Sequence, residues 1–383
     1  MFILVKRKPI RFISLAIAIL VALPLGWGKL SGLSNWTSPF IMLNSVFALK
    51  SFVLLNIIGL FVLIATWFRK RFFCKYICPV GCVLDGIPKR NRQKKIAGLK
   101  NIPFIGKWLT IISLTGAVFG FPLFIFLDPM SIFNGFFGSL IHFSITGIIA
   151  SVAGFLLLLI IQLIWPGLWC KRLCPLGGLQ LLVSDLKGLV NGTKPAIVKR
   201  DTGRRIFIGS AVGTAAALAF PFIVKGDEDN IIRPPASVIP EDFYALCTRC
   251  GSCLKACPTK ILNQDTRFGF GFLTPVVKFE SGYCLETCNA CSVVCPSGAI
   301  TLFEVGAKPQ LTMGIAAINT SDCLLSHQTE CDRCKVVCAY RAILINRKGN
   351  EMLMLPDVDQ EKCVGCGACK VVCPKNCISV NKI

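Results

Sequence analysis

The sequence predicts a chain of two unlike parts, an α-helical membrane domain followed by a smaller α+β domain of tandem cysteine-rich repeats. Three observations predict this division. The first 225 residues carry 26 Lys and Arg against four acidic residues, whereas residues 226–383 carry 16 of each sign. Five long hydrophobic runs lie in the first part, and four cysteine clusters lie in the second. A chain of 383 residues is also longer than a single hydrophobic core usually supports, so two or more domains are expected.

Each of the five hydrophobic runs is close to the ~20 residues that a helix needs to cross a bilayer. All six tryptophans lie at or beyond the ends of these runs, where amphipathic rings favour the membrane interface. We therefore predict a four-span core of two repeated hairpins, followed by a fifth, anchoring span. The runs are Phe12–Trp27, Ser45–Phe68, Trp108–Leu127, Phe143–Trp165 and Ile206–Val224.

The positions of Lys and Arg predict the orientation of these spans. Most of them lie before the first span, between the second and third, and between the fourth and fifth. By the positive-inside rule, the N-terminus is cytoplasmic and the C-terminal part lies outside the cytoplasmic membrane, in a periplasmic or other extracytoplasmic space. The same distribution favours membrane topology over nucleic-acid binding as the meaning of the net charge of +22.

Two similar cysteine segments follow the second and fourth spans. One is Cys74-x3-Cys78-Pro79, and the other is Cys170-x3-Cys174-Pro175. In a helix, this spacing puts both thiols on one face, and the repetition indicates a parallel duplication of the hairpins. Three alternatives stay open: one metal or iron–sulfur centre shared by the four thiols, redox-active thiol pairs, or packing alone.

Arg204-Arg205 precedes the fifth hydrophobic run and resembles a twin-arginine export signal, which directs folded proteins across the membrane. The alternative is that these are two further charges that fix topology. The predicted domains are then a membrane domain (1–185), the twin-arginine-like segment with the fifth span (186–225), a linker (226–240) and the cysteine-rich domain (241–383).

The first and fourth cysteine clusters have the spacing x2-x2-x3, the second has x3-x2-x3 and the third has x7-x2-x3, with proline after the last cysteine in all but the third. In this pattern three thiolates bind one [4Fe–4S] cluster, and the fourth reaches a neighbouring cluster. Zinc sites and disulfides are the alternatives, but four such motifs in tandem favour four [4Fe–4S] clusters. The third motif departs from the pattern, with a seven-residue first gap and Ala339 in place of proline. The sixteen predicted ligands are Cys247, Cys250, Cys253, Cys257, Cys284, Cys288, Cys291, Cys295, Cys323, Cys331, Cys334, Cys338, Cys363, Cys366, Cys369 and Cys373.

A short β-prone segment follows three of the clusters, as in small bacterial ferredoxin repeats, so the fold class predicted for this part is an α+β polyferredoxin. The segments are Ala299–Phe303, Ala342–Ile345 and Ile378–Val380. Cys377 is predicted to be a buried apolar thiol and not a ligand. The motifs begin 37, 39 and 40 residues apart, so the spacing allows either adjacent or nested exchange of the fourth cysteines.

The two parts resemble different proteins. The paired Cys-x3-Cys-Pro segments resemble the NapH type of membrane quinol dehydrogenase component, within a NapH/NosR/CcoG group. From Arg233-Pro234-Pro235 through the four clusters, the chain resembles the NapG/MauM type of periplasmic four-cluster ferredoxin. The resemblance therefore implies a fusion of the two types. Unlike NapH proteins, the chain has no further cysteine between Cys174 and Cys247.

Resemblance to four-cluster subunits of molybdenum reductases favours nested exchange of the fourth cysteines, in which Cys373 joins the first motif and Cys257 joins the fourth.

The resemblance implies a membrane-bound iron–sulfur electron-transfer protein, a quinol dehydrogenase component that passes electrons through its clusters to an extracytoplasmic reductase. Its partners would be membrane lipid, the quinone pool and that redox protein, and no nucleic acid. Asp128 and His142 flank an aromatic loop (Phe133, Phe136 and Phe137) between the third and fourth spans and form the candidate quinol site, although a turn residue and an interfacial belt would explain the same pattern. With two histidines and no Cys-x-x-Cys-His, the sequence excludes bis-histidine and c-type haem.

Two other functions remain open. One is a maturation or redox-assembly factor for a metalloenzyme, as MauM-like and CcoG-like relatives suggest. The other keeps the ferredoxin part in the cytoplasm as a donor to soluble enzymes. The predicted topology also poses a problem for electron transfer, because ~30 Å of hydrocarbon would separate the inner cysteine pairs from the outer clusters.

Overall fold

In the computed structural model, the described residues are 7–23, 25, 28–86, 103–139, 145–191, 201–224, 231–280, 282–347 and 354–382. In these ranges the first part of the chain consists of helices joined by turns and loops, with 3₁₀ turns at Gly28–Gly32 and Ile125–Leu127 and a π-helical turn at Trp169–Leu173. Its helices are α1 (Arg7–Ala22), α2 (Leu33–Trp36), α3 (Pro39–Leu49), α4 (Asn56–Phe68), α5 (Phe72–Tyr76), α6 (Pro79–Gly86), α7 (Ile105–Val118), α8 (Pro129–Ser139), α9 (Ile145–Ile164), α10 (Pro175–Val190) and α11 (Asp201–Val224).

The hydrophobic runs do not all become continuous helices. The second run is broken, because α3 ends at Leu49, Lys50 adopts a left-handed conformation, and α4 begins only at Asn56. The third is broken at Gly120, which has φ +96° after the end of α7. Among the described residues, one helix segment, Ile206–Val224, is long and apolar enough to cross a membrane by length and composition, and only 17% of its apolar window is buried.

Two short helices of equal length stand at matching places in the duplicated halves. Both α3 and α8 have 11 residues and begin with proline, which is favourable at the first helical position because that N–H has no partner in the helix. The residues before them are Ser38 and Asp128, and the sixth residues are Asn44 and Asn134. Each asparagine donates from Nδ2 to the carbonyl four residues earlier, at 2.8 and 2.9 Å. The duplication therefore extends beyond the cysteine segments.

The second part of the chain contains short helices and three two-stranded antiparallel sheets. The helices are α12 (Pro240–Leu246), α13 (Ser252–Ala256), α14 (Ala290–Val293), α15 (Arg333–Val337) and α16 (Ala368–Val372). The strands are β1 (Leu262–Gln264), β2 (Pro275–Val277), β3 (Ile315–Ile318), β4 (Ile343–Arg347), β5 (Met354–Val358) and β6 (Ile378–Asn381). They pair β1 with β2, β3 with β6 and β4 with β5, with Ile318 opposite Ile378 and Ile343 opposite Val358.

Two of the three β-prone segments are strands, β4 and β6. The prediction for Ala299–Phe303 was wrong, because only Ile300 forms a bridge there, to Ser237. The neighbouring segment contains Pro234 and Pro235, which have no N–H to extend the pairing.

Candidate metal centres

The first cavity in the ferredoxin part is lined by thiols from two motifs. Three come from the first motif and the fourth, Cys295, comes from the second. Gly251, with φ +66°, lets the chain turn between the first cysteines and enter α13. The backbone N–H of Ile300 donates to the sulfur of Cys295 at 3.4 Å. The four thiols of this cavity are Cys247, Cys250, Cys253 and Cys295.

The second set of thiols completes the exchange between the first two motifs. Burial raises the pKa of the Cys291 thiol, and the neighbouring thiols of Cys284, Cys288 and Cys257 raise it further. Cys257, the fourth cysteine of the first motif, therefore lies with the second motif.

The third and fourth motifs exchange their last cysteines in the same way. One cavity is lined by the first three cysteines of the third motif together with Cys373. The other is lined by the first three of the fourth motif together with Cys338. The N–H groups of Ala316 and Ala342 donate to the sulfurs of Cys363 and Cys338 at 3.4 and 3.3 Å.

Nested exchange of the fourth cysteines is therefore wrong, and the exchange is between adjacent motifs. Cys373 lies in the cavity of the third motif, and Cys257 lies beside the second motif. The physical reason is that α13 packs on α14 and α15 packs on α16, so each last cysteine, just after its helix, faces the other motif of its pair. Cys377, predicted to be buried, is partly exposed, and its sulfur lies 3.4 Å from that of Cys373.

Each site brings together four of the predicted cysteine ligands, and the cavity of the third motif is also lined by Cys377. Thiolates bind zinc as well as iron–sulfur clusters. Around one zinc ion, however, four sulfurs at ~2.3 Å from the metal must converge on a single point. Within the described ranges, no three Cys, His, Asp or Glu side chains converge closely enough to hold a single metal ion. The more widely separated thiols fit a multi-iron cluster better than zinc.

A buried lysine, which the sequence analysis missed, lies beside the second set of thiols. Lys308 is 2% exposed, and its Nζ donates to the carbonyl oxygens of Leu285 and Cys288, the latter at 2.8 Å. The same ammonium opposes the effect of burial on the pKa of the Cys284 thiol. Because a buried charge is costly unless it is paired, an anionic cluster would provide its counter-charge. No signal in the sequence marked this lysine.

The four inner thiols also come together. Cys74 and Cys170 lie within short helical turns, and Cys78 and Cys174, which follow these turns, are buried in one hydrophobic core. Burial raises the pKa of Cys174, and the other three thiols raise it further. The N–H groups of Gly81 and Gly177 donate to the sulfurs of Cys78 and Cys174 at 3.3 and 3.4 Å, so the two segments are equivalent in detail.

Gln180 adds a polar contact to this inner set, because its Nε2 donates to the sulfur of Cys74 at 3.1 Å. Its other amide atom, Oε1, is buried without a hydrogen-bond partner among the described residues. Like the outer thiols, these four are too widely separated to hold one metal ion, and with N–H groups directed at the sulfurs they are better suited to a multi-iron cluster.

Asp128 is fully buried between the beginnings of α3 and α8. Its carboxylate accepts a hydrogen bond from the Ser38 hydroxyl at 2.6 Å and from the backbone N–H of Met130 at 2.9 Å. Burial raises its pKa to about 6, although both hydrogen bonds act in the opposite direction. Asp128 thus caps α8, as the turn interpretation proposes. Burial and the thiols of Cys74 and Cys170 raise the pKa of Cys78, and the charge of Asp128 adds to this effect.

The other residues of the candidate quinol site are distributed differently. His142 lies outside the described residues. Phe133, Phe136 and Phe137 lie on α8 and not in a loop, and Phe133 is buried in the same core as Cys78. Phe137 makes ring contacts with both of the others at 5.2 Å.

The far end of α8 touches the first cysteine motif. At Gly138, an added Cβ would lie 3.0 Å from the Cα of Gly251, which shows how closely the two backbones approach. Asn35 donates from Nδ2 to the Ser252 hydroxyl at 3.0 Å, and Lys255 reaches Asn134 at 3.4 Å. α8 therefore begins beside the inner thiols and ends on the loop that lines the first cavity.

Models of iron–sulfur protein families match four segments of the chain. One described as a 4Fe-4S dicluster domain matches residues 246–299, which contain the first two motifs. One described as a 4Fe-4S binding domain matches residues 52–97 and 148–192, the segments that hold the inner thiols. Another of the same description matches residues 356–379.

Curated relatives match the chain over part of its length. The ferredoxin-type protein NapG of Escherichia coli is 32% identical over 187 residues, which cover 44% of this chain and 80% of NapG. The ferredoxin-type protein NapF of the same organism is 34% identical over 39% of this chain and 84% of its own length. The methylamine utilization ferredoxin-type protein MauM of Methylobacillus flagellatus is 30% identical over 42% of this chain and 69% of its own length. No solved structure matches the chain.

Proposed function

Because the chain belongs to the family of ferredoxin-type iron–sulfur proteins that includes NapG, NapF and MauM, we propose that it is a membrane-bound electron-transfer protein. It oxidises quinol in the bilayer and passes single electrons through four [4Fe–4S] clusters to an extracytoplasmic reductase. The N-terminal part is a NapH-type membrane component fused to a NapG-type ferredoxin. Its partners are the quinone pool and that reductase.

The observation that carries the proposal is the path of α8. One helix of 11 residues, about 16 Å at 1.5 Å per residue, connects the region of Asp128 and the inner thiols with the first cysteine motif. The two sites are therefore much closer than a full bilayer thickness. This separation supports direct electron transfer from the membrane part to the first motif.

Exposed apolar side chains support a membrane environment for this part. Phe12, Phe61, Leu157 and Phe222, on four different helices, all point outward. In the proposed topology, α1, α4, α7 and α9 form the four-span core and α11 is the anchor. The short helices α3 and α8 lie between them, as half-helices do in many transporters, where irregular backbone at membrane depth is enclosed by protein.

The protein side chains have separate roles in this reaction. Quinol gives up two electrons and two protons, and iron–sulfur clusters supply one-electron acceptor sites when bound. Asp128 lies where the positive ends of two helix dipoles meet, which favours its charged form, while burial favours the neutral one. We assign it the role of proton acceptor. The four inner thiols hold a further iron–sulfur or metal centre, and the sixteen outer cysteines hold the four clusters.

Quinol-driven reduction tests the proposal. The full chain, reconstituted anaerobically and inserted into nanodiscs, is mixed with a reduced short-chain quinol, and EPR follows the reduced clusters. We expect cluster signals to appear with quinol and to be complete with dithionite. Clusters that dithionite reduces but quinol does not, at any pH between 6 and 8, would show that quinol is not the donor. A reporter fused after Ile383 gives the side of the membrane independently.

A further inference from the structure

An exposed aromatic loop of the ferredoxin part lies beside the end of α11. The loop, Arg267–Leu273, carries Phe268, Phe270 and Phe272. Phe268 is 96% exposed, and its ring stacks on that of Phe272 with centroids 5.8 Å apart. Since a soluble surface rarely presents stacked, exposed aromatic rings without a partner, this loop is a candidate contact surface.

Ring contacts with the helical part hold the loop beside the end of α11. Phe270 packs edge-to-face on Phe220, in the last turns of α11, with centroids 5.5 Å apart. Phe220 also contacts Phe121, just beyond the end of α7, at 5.6 Å. The neighbouring Phe222 is 82% exposed. Aromatic rings from three segments therefore lie together where two apolar helices end.

Arg249 connects this loop to the first cysteine motif. Its guanidinium donates to the carbonyl oxygens of Phe272 and Phe270 at 2.8 and 2.9 Å. It also lies over the ring of Phe126, 4.6 Å from the centroid. Since Arg249 stands between two cysteines of the first cavity, the position of the aromatic loop and that of the cavity are coupled.

We propose that the loop Arg267–Leu273 inserts Phe268 into the interfacial layer of the lipid bilayer, beside the end of α11, and through Arg249 holds the first cysteine motif at a fixed height above the membrane. Aromatic rings are favoured at this depth because they combine an apolar body with tolerance of the polar headgroups. The inference rests on the proposed function in one respect, that α11 crosses the membrane. The occupant of the surface is phospholipid.

Site-specific photocrosslinking tests this contact in the full chain. Phe268 is replaced by p-benzoylphenylalanine, which the exposed position tolerates, in nanodiscs of phosphatidylcholine and phosphatidylglycerol. Leu218, exposed on α11, is the positive control, and Val336, 74% exposed on α15, is the negative control. After irradiation, intact-mass spectrometry should find a lipid adduct at position 268 in a yield close to that at 218 and several-fold above that at 336.

Three results would overturn the inference, and they differ in what else they affect. Lipid adducts at 218 but none at 268 above the level at 336 would remove the loop contact and leave the membrane proposal intact. No adduct at either 218 or 268 would remove both. Adducts at 268 with a protein in place of lipid, in membranes that contain the partners of the chain, would make the loop a protein-docking surface.

Discussion

Lys308 places a positive charge against the second set of thiols, and its effect can be measured. Lys308→Met removes the charge while nearly keeping the side-chain volume. Because a nearby cation stabilises the reduced, more negative form of a cluster, we expect the midpoint potential of one cluster to fall. The shift should reach at least ~59 mV, a tenfold change in a one-electron equilibrium. EPR-monitored redox titration of the full chain is the measurement.

Two matched variants separate charge from packing at this site. Lys308→Arg keeps the charge and should keep the potential close to that of the native chain. Lys278→Met changes an exposed lysine and should leave all potentials in place. An unchanged potential in Lys308→Met, with its full iron content, would mean that the ammonium only holds the carbonyl groups of the loop.

The buried carboxyl group of Asp128 predicts that the stability of the fold depends on pH in a definite direction. Its pKa is about 6 in the folded chain and near 3.8 in a flexible one, so the folded state binds more protons between these values. The free energy of unfolding should therefore fall as pH rises through this window. Asp128→Asn should abolish that slope, retain stability at pH 7 and strongly slow quinol-driven reduction. Denaturant unfolding of the native chain and the variant at pH 4.5 and 7 gives the two pH slopes of the unfolding free energy. Rapid reduction of the clusters by quinol in the variant would show that Asp128 is not the proton acceptor.

At the scale of elements, the exchange between adjacent motifs predicts which cluster each substitution disturbs. Cys373→Ser should alter the cluster bound by Cys323, Cys331 and Cys334 and leave the first cluster intact, because Cys373 lines that cavity. EPR of the reduced protein, with iron analysis, is the measurement. Cys295→Ser is the matched control, since it should alter the first cluster and leave the third intact. Loss of the first cluster's signal in Cys373→Ser would contradict the pairing.

The contact of α8 with the first motif predicts a loss of electron transfer without a loss of clusters. Gly138→Leu adds a side chain where the backbone of Gly251 lies within contact distance, so the two parts must separate. We expect quinol-driven reduction to slow by more than tenfold while dithionite still reduces every cluster. Gly154→Leu, on α9 with open space around its Cα, should behave like the native chain. Equal rates in the two variants would rule out this path.

The elements also show how far the sequence could take the prediction. The cysteine spacing identified sixteen of the thiols at the outer sites, because that spacing is set by the chemistry of the cluster, but it did not mark Cys377, which also lines the cavity of the third motif. The hydropathy of the sequence does not reveal the breaks at Lys50 and Gly120. It therefore predicted long spans where the structure has shorter helices. The matching pairs Ser38-Pro39 and Asp128-Pro129 were the available signal for α3 and α8. The choice between adjacent and nested exchange depended on helix packing, which equal spacing does not encode.

At the scale of the whole molecule, the predicted export route can be tested with the arginine pair. Arg204→Lys together with Arg205→Lys keeps the positive charge, so a pure topology signal should be unaffected, whereas the twin-arginine route requires arginine. We expect the ferredoxin part to stay inside while the preceding helices still insert. Protease accessibility of a tag after Ile383 in spheroplasts is the measurement. Normal exposure of the tag outside the cell would leave the pair as two topology charges.

The exchange of last cysteines has a consequence for how such a chain can be shortened or lengthened. Neither motif of a pair is a complete module, because each borrows one thiol from its neighbour. A break inside a pair leaves two sites one sulfur short, whereas a break near Gln310, between the second and third motifs, leaves every thiol of the first pair in place. Cluster-binding units of this architecture should therefore be gained and lost two at a time, as even numbers.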